Sequence, residues 1–145
     1  MEKNLRIEDL IPHRGRMRLI DAITAVDDRH AETQTMAKAN WPMIRAQGAA
    51  PLLLIELAAQ TAGVCFGWNE LQKPIDQRDE AKGWLVGVKK ARFLIETIAV
   101  GACITIHTQT ALAVDQYKEI TATAHLGEQL IAEIHLQVLQ AEQVE

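Results

Sequence analysis

A long apolar segment, residues 51–68, constrains the fold more than any other feature of the sequence. It reads PLLLIELAAQTAGVCFGW and contains a single charged side chain, Glu56. Pro51 suits the first position of a helix, and the residues after it are apolar or small on nearly every face. We therefore expect a helix that ends at 69–72 and must be covered on nearly all sides.

This segment is almost long enough to cross a bilayer. Glu56 argues against that interpretation, because a carboxylate near the middle of a membrane is strongly unfavourable. Gln60 and Thr61 add polar groups with no evident partners in a single span. We therefore expect a buried helix and no membrane span.

Alternating apolar and polar residues dominate the rest of the chain and predict strands. A helical turn at 6–11 comes first, and a loop at 40–50 precedes the long helix. A second loop at 74–82 follows the helix. The predicted strands are 18–27, 31–39, 83–95, 101–114, 117–126 and 128–140.

The order of two strands, one helix and four strands predicts an α+β fold. An antiparallel sheet of about six strands would bury the helix on one face. With 145 residues, the chain fits one domain over 1–145. One sheet leaves part of the helix and two edges uncovered, so we expect at least a dimer.

Charge and cysteine content narrow the classes of function. The 15 basic and 19 acidic residues give a net charge of −4 with no long basic run, so we expect no nucleic-acid partner. Cys65 and Cys103 lie far apart without metal-ligand spacing, so we expect neither a disulfide framework nor a structural metal. The N-terminal residues lack an apolar signal segment, which predicts a cytoplasmic protein.

Glu56, Gln60, Gly63 and Gly67 form one narrow stripe along the helix at about 100° per residue. Two interpretations remain open from these residues alone. In one, the glycines permit close packing and Glu56 is held by structural partners. In the other, the glycines leave a groove for a ligand, and Glu56 exchanges protons with that ligand.

Three blocks resemble the hot-dog-fold 3-hydroxyacyl-(acyl carrier protein) dehydratases of fatty acid synthesis in order and spacing. These are IPHRGRMRLIDAI at 11–23, IELAAQTAG at 55–63 and WLVGVKKARFLIETIAVGACITI at 84–106. The last strand looks like the final strand of that family. The resemblance implies a long central helix wrapped by a curved antiparallel sheet, and dimers with active sites at the subunit interface.

The resemblance also implies roles for particular residues. Glu56 matches the catalytic acid of the family, and Gln60 matches the glutamine four residues later in the family pattern, which makes it a candidate to contact the substrate. The substrate would be an acyl thioester on the phosphopantetheine of acyl carrier protein or on coenzyme A, with no metal or redox cofactor. Gly48 and the start of the helix would supply donors to the enolate-like oxygen.

The loop before the helix departs from the dehydratase pattern. The family carries its catalytic histidine in a Gly-His-Phe-Pro motif, where this chain has Asn40, Trp41 and Pro42. Asparagine is not a proton acceptor at neutral pH. The chain is most similar to the divergent dehydratase-like branch of aryl polyene and related polyketide gene clusters, which also has a rewritten loop.

Five histidines are available to replace the missing base. His13 lies in the PHRG run of the first resembling block and is the first candidate, although a structural histidine bonded to backbone is its other interpretation. His30 falls in a predicted turn. The remaining three, His107, His125 and His135, fall on the polar phase of strands and are expected to be exposed.

Other residues complete the sequence hypotheses. Asn40, Trp41 and Gly63 are candidates to contact the acyl substrate. Lys89, Lys90 and Arg92 are candidates to dock an acidic carrier protein, or are simply solvated residues of a strand.

Three functions stay open from the sequence. The first is a 3-hydroxyacyl thioester dehydratase, a type of lyase. The second is an acyl thioesterase, and the third is a non-catalytic subunit that binds an acyl carrier. The partner would be a second copy of the chain or a related hot-dog subunit.

Overall fold

The structure, a computed structural model, describes residues 6–11, 18–78 and 82–141. A short helix, α1 (Ile7–Leu10), precedes the long helix, α2 (Leu53–Leu71). The strands are β1 (Ala22–Val26), β2 (His30–Met36), β3 (Ile44–Arg45), β4 (Gly48–Ala49), β5 (Lys82–Phe93), β6 (Cys103–Val114), β7 (Tyr117–Leu126) and β8 (Gln129–Ala141). A single 3₁₀ turn spans Ile75–Gln77.

Six strands form one antiparallel sheet in the order β1-β2-β6-β7-β8-β5. The strand after the helix, β5, therefore pairs with the last strand, and β1 and β5 form the two edges. The remaining pair, β3 and β4, makes a separate hairpin just before α2. Helix α2 packs against all six strands of the large sheet.

Side chains alternate between the two faces of this sheet. Ile104, Ile106 and Ile120 are almost completely buried and point toward α2. Leu54 and Leu57 of the helix meet this inner face and are fully buried. Polar residues occupy the outer face, which gives the one-sided pattern expected for an antiparallel sheet.

The structure confirms the α+β arrangement of one long helix and a six-stranded antiparallel sheet. The first strand is shorter than predicted, because residues 18–21 lie outside the β1–β2 ladder. The β3–β4 hairpin lies within the predicted loop at 40–50. Strands of two residues are too short to show a period in the sequence.

The edge strand β5 leaves apolar side chains exposed. Leu85, Val86 and Val88 are each between 42% and 57% exposed, and Leu94 follows directly after the strand at 42%. An unpaired strand edge with apolar side chains is a ready surface for another chain. Within the described residues, neither helix combines the length and the apolar character that crossing a bilayer requires.

Candidate active site

The carboxylate of Glu56 lies in the first turn of α2 and is half-buried. The side-chain amide of Gln60, one turn later, donates from Nε2 to Glu56 Oε1 at 3.0 Å. A negative charge is also favoured at the N-terminal end of a helix. The acid and the amide that the sequence placed on one stripe are therefore in direct contact.

Gln60 is completely buried and connects Glu56 to the segment before β1. The main-chain N–H of Leu19 donates to Gln60 Oε1 at 2.9 Å. Because a backbone N–H only donates, it fixes the carboxamide with its oxygen toward Leu19 and its NH₂ group toward Glu56. Gln60 thereby holds one oxygen of the Glu56 carboxylate.

Buried threonines of β2 support this arrangement, and they are not among the site residues predicted from the sequence. Thr33 Oγ1 lies 2.8 Å from Thr61 Oγ1, which donates to the carbonyl of Leu57 at 2.7 Å. Thr35 donates from Oγ1 to the carbonyl of Leu19 at 2.6 Å. The available signal was the shared phase of Ala31, Thr33, Thr35 and Ala37, which is small and partly polar yet buried.

The glycine stripe of α2 is covered by the N-terminal residues of the chain. A Cβ atom added at Gly67 would lie 2.2 Å from the carbonyl oxygen of Leu10, and one added at Gly63 would lie 3.1 Å from Ile11 Cγ2. The glycines therefore allow close packing of α1 on α2. This packing occupies the surface over Gly63 and Gly67 that one interpretation of the sequence left for a ligand.

The loop before α2 is fixed to the rest of the fold through Ala49. Its N–H and C=O pair with the C=O and N–H of Ile98 at 2.8 and 3.0 Å. Gly48 has φ +128°, and a Cβ at this position would lie 2.2 Å from the Ile98 oxygen, so only glycine fits here. Trp41 is buried in the core, and Asn40 beside it is exposed.

The first candidate base, His13, lies outside the described residues. The other four histidines point to the outer face of the sheet, away from α2, and are His30, His107, His125 and His135. The three strand histidines thus lie on the polar face as expected, but only His107 is exposed, and His125 and His135 are partly buried. His30 is the first residue of β2 rather than a turn residue, and its Nδ1 lies 3.1 Å from the Asp27 carboxylate.

Lys89, Lys90 and Arg92, here named the β5 basic cluster, are exposed on the edge strand. Two of the three carry ion pairs within the chain. Lys89 Nζ lies 3.2 Å from Glu119 Oε1, and Arg92 Nη1 lies 3.8 Å from Glu133 Oε2. Exposed pairs of this kind contribute little to stability, so the cluster remains accessible to a charged partner.

The two cysteines differ sharply in environment. Cys65 is buried within α2, and burial raises the pKa of its thiol to about 11, whereas Cys103 is exposed. A thiol with so high a pKa is a poor nucleophile. In the described part of the chain, no three His, Cys, Asp or Glu side chains are grouped so as to hold a metal ion.

Comparison with known proteins assigns the chain to a family. The model of the ApeP-like family, described as ApeP dehydratase, matches residues 5–145. The chain belongs to the ApeP-like dehydratase family. This finding confirms the resemblance to the dehydratase-like branch that the sequence blocks indicated. No curated protein sequence matches this ApeP-like chain.

Solved structures confirm the hot-dog fold of the ApeP-like chain. The dehydratase heterocomplex ApeI:P from Xenorhabdus doucetiae aligns with a TM-score of 0.86 at 18% identity, over 97% of this chain and 94% of that chain. A hypothetical thioesterase from Streptococcus pneumoniae with coenzyme A gives a TM-score of 0.66 at 12% identity, over 86% and 88%. The PaaI protein of the E. coli phenylacetic acid degradation operon gives 0.64 at 15%, over 81% of each chain.

Proposed function

We propose that this ApeP-like chain is a subunit of a 3-hydroxyacyl thioester dehydratase, in which Glu56 is the catalytic acid. The observation that carries the proposal is the contact of Glu56 Oε1 with the fully buried Gln60 at 3.0 Å in the first turn of α2. A carboxyl group held by a buried amide is positioned for proton transfer. Its place in the helix is also that of the acid in the resembling dehydratases.

The reaction requires one base and one acid. The base removes the proton α to the thioester carbonyl, and that electron pair forms the double bond between the α and β carbons. The β-hydroxyl leaves with the proton of Glu56, so the products are a 2-enoyl thioester and water. Thioester conjugation and hydrogen-bond donors stabilise the enolate-like charge, and we expect no metal or redox cofactor.

The base comes from His13 or from a partner subunit. All four described histidines lie on the face of the sheet opposite α2, where they cannot reach a substrate beside Glu56. The exposed apolar edge of β5 supports pairing with a second hot-dog subunit. A similar solved structure is named the dehydratase heterocomplex ApeI:P, which favours a related subunit over a homodimer or a larger homo-oligomer.

We further propose that the substrate is an acyl thioester carried on phosphopantetheine. Gly48 and the start of α2 would face its carbonyl, with Asn40 and Trp41 near the acyl entrance. Gly63 would act only through its packing with Ile11. The β5 basic cluster would meet an acidic carrier protein, and the free thiols of the chain suit the reducing cytoplasm.

The test uses a synthetic 3-hydroxyacyl group on acyl carrier protein or on coenzyme A. The full chain is assayed alone and with a coexpressed hot-dog subunit, and the products are identified by mass spectrometry. We expect the 2-enoyl thioester, and we expect Glu56→Gln to form it about 10²- to 10⁴-fold more slowly. Glu128→Gln, a carboxylate loss in the exposed β7–β8 turn, is the matched control.

Two alternative functions give different products in the same assay. A thioesterase would release free thiol and a 3-hydroxy acid, and the position of all four described histidines away from α2 favours it, since a carboxylate and water suffice for that hydrolysis. A carrier-binding subunit would bind the acylated carrier but would catalyse neither dehydration nor thioester hydrolysis, alone or with its partner. Either outcome contradicts the dehydratase proposal.

A further inference from the structure

Thr35 lies on β2, two hydrogen bonds away from Gln60. Its side chain is only 3% exposed, and its hydroxyl donates to the carbonyl of Leu19 at 2.6 Å. The same oxygen accepts the N–H of Asp21 at 3.1 Å. The Thr35 hydroxyl therefore bonds the main chain on both sides of Ile20, at the carbonyl of Leu19 and at the N–H of Asp21.

The segment before β1 is held to β2 by these side-chain contacts and by a backbone bond, because the N–H of Asp21 also donates to the carbonyl of Gln34 at 3.1 Å. Residues 18–20 lie outside the ladder of β1, although Leu19 and Ile20 are buried. The Asp21 carboxylate adds a second anchor by accepting the N–H of Met36 at 2.8 Å. The main chain at Leu19 is thus placed by β2 side-chain and backbone groups rather than by a β1–β2 ladder.

The main chain of Leu19 holds the carboxamide oxygen of Gln60. Its N–H donates to Gln60 Oε1 at 2.9 Å, and Gln60 Nε2 then donates to Glu56 Oε1 at 3.0 Å. If Leu19 moved, the carboxamide oxygen would lose this donor, and the amide that donates to Glu56 would be held less firmly in its present orientation.

We infer that Thr35 is a positioning residue for Glu56, acting through the main chain of Leu19 and the amide of Gln60. This inference rests on the proposed function only where turnover is measured. A displaced acid lowers the rate of proton transfer more than it lowers substrate affinity. The hydroxyl of Thr35 is the part that matters, so serine is expected to replace threonine and valine is not.

The test compares Thr35→Val and Thr35→Ser in the full chain, with its hot-dog subunit where turnover requires one. Thr108→Val is the matched control, because Thr108 is equally buried and its hydroxyl also bonds a backbone carbonyl, that of Ala31 at 3.4 Å, outside this relay. We expect Thr35→Val to lower kcat by about 10- to 100-fold with KM within about twofold. Thr35→Ser and Thr108→Val are expected to stay near wild type.

A double substitution separates positioning from a general loss of stability. In a Gln60→Ala background, Thr35→Val is expected to cause no further fall in kcat, since the relay is already broken. The inference would be overturned if Thr35→Val lowered kcat by no more than Thr108→Val does. It would also be overturned if Thr35→Val lowered kcat by the same factor in the wild-type and Gln60→Ala backgrounds. Circular dichroism at the assay temperature confirms that each variant is folded, and Thr35→Ala replaces Thr35→Val if the latter does not fold.

Nuclear magnetic resonance tests the relay without any activity. The side-chain NH₂ signals of Gln60 and the hydrogen exchange of the Leu19 amide are expected to change in Thr35→Val and to be unchanged in Thr35→Ser and Thr108→Val. If turnover is absent in wild type but these signals respond as expected, the dehydratase proposal fails while the relay stands. Signals that do not respond to Thr35→Val refute the relay itself.

Discussion

Replacing Gly67 with alanine is expected to destabilise the fold, although alanine is the better helix former. In an isolated helix, the substitution would gain about 1 kcal/mol. Here, the new Cβ would lie 2.2 Å from the oxygen and 2.8 Å from the Cα of Leu10. Both distances are well below ordinary van der Waals contact, and the opposing atoms belong to backbone, so α1 as a whole must move.

The packing around α1 indicates how far Gly67→Ala lowers the free energy of unfolding. Helix α1 is held by the buried side chains of Ile7, Leu10 and Ile11, so it does not move freely. Overpacking that shifts backbone costs typically about 1–3 kcal/mol, and a clash this close belongs at the upper end. After the gain in helix propensity, Gly67→Ala is expected to lower the free energy of unfolding by about 2 kcal/mol.

Gly63→Ala is the matched control on the same face of α2. Its Cβ would meet only the flexible end of a side chain, Ile11 Cγ2, at 3.1 Å. The change in free energy of unfolding is expected to stay within about 1 kcal/mol of wild type, since the gain in helix propensity offsets the tight contact. Urea unfolding followed by circular dichroism measures both variants at one protein concentration.

Thermal unfolding provides a second readout for this pair. A loss of about 2 kcal/mol corresponds to a Tm lower by about 4–8 °C for a chain of this size. If Gly67→Ala is as stable as wild type, or if Gly63→Ala is destabilised to the same degree, then α1 does not pack on the glycine stripe as described.

Three further predictions concern the buried amide, a buried thiol and the basic edge. Gln60→Leu is expected to lower the free energy of unfolding by about 1–3 kcal/mol, because the Leu19 N–H loses its acceptor; unchanged urea unfolding would contradict this. Burial raises the pKa of Cys65 from 9.0 to about 11, so its contribution to stability holds below pH 9 and is lost as the pH rises toward 11. Cys65→Ala is therefore expected to lose less stability than wild type between those pH values in chemical unfolding, and parallel losses would show that another group titrates. Reversing the charges of the β5 basic cluster is expected to raise KM about tenfold or more for carrier-protein substrates and to leave coenzyme A substrates unaffected; equal effects on both would rule out docking there.

The sequence was sufficient to predict the architecture because each element has its own period. Helix α2 lies within the predicted segment, and β6, β7 and β8 nearly coincide with the predicted strands. Alternation along β6 and β8 also placed His107 and His135 correctly on the outer face. These features are determined by residues close together in the sequence, so the spacing of apolar and polar residues predicts them directly.

Contacts between distant parts of the chain were not predictable in the same way. The stripe at Gly63 and Gly67 indicated close approach or a groove, but no periodicity identifies α1 as the element that fills it. The relay from Thr35 to Gln60 passes through the main chain of Leu19, where the side chain gives no signal. The carboxylate was recognisable as a site because a charge in an apolar helix is unfavourable without a partner.

The rate of dehydration by Glu56→Gln, relative to wild type, tests the central claim most directly. The substitution keeps the size of the side chain and a hydrogen-bonding group beside Gln60, and removes only the carboxyl group that donates the proton. With 3-hydroxyacyl carrier protein and the hot-dog subunit present, kcat is expected to fall by about 10²- to 10⁴-fold. A Glu56→Gln variant that forms the 2-enoyl product at the wild-type rate would show that Glu56 is not the acid.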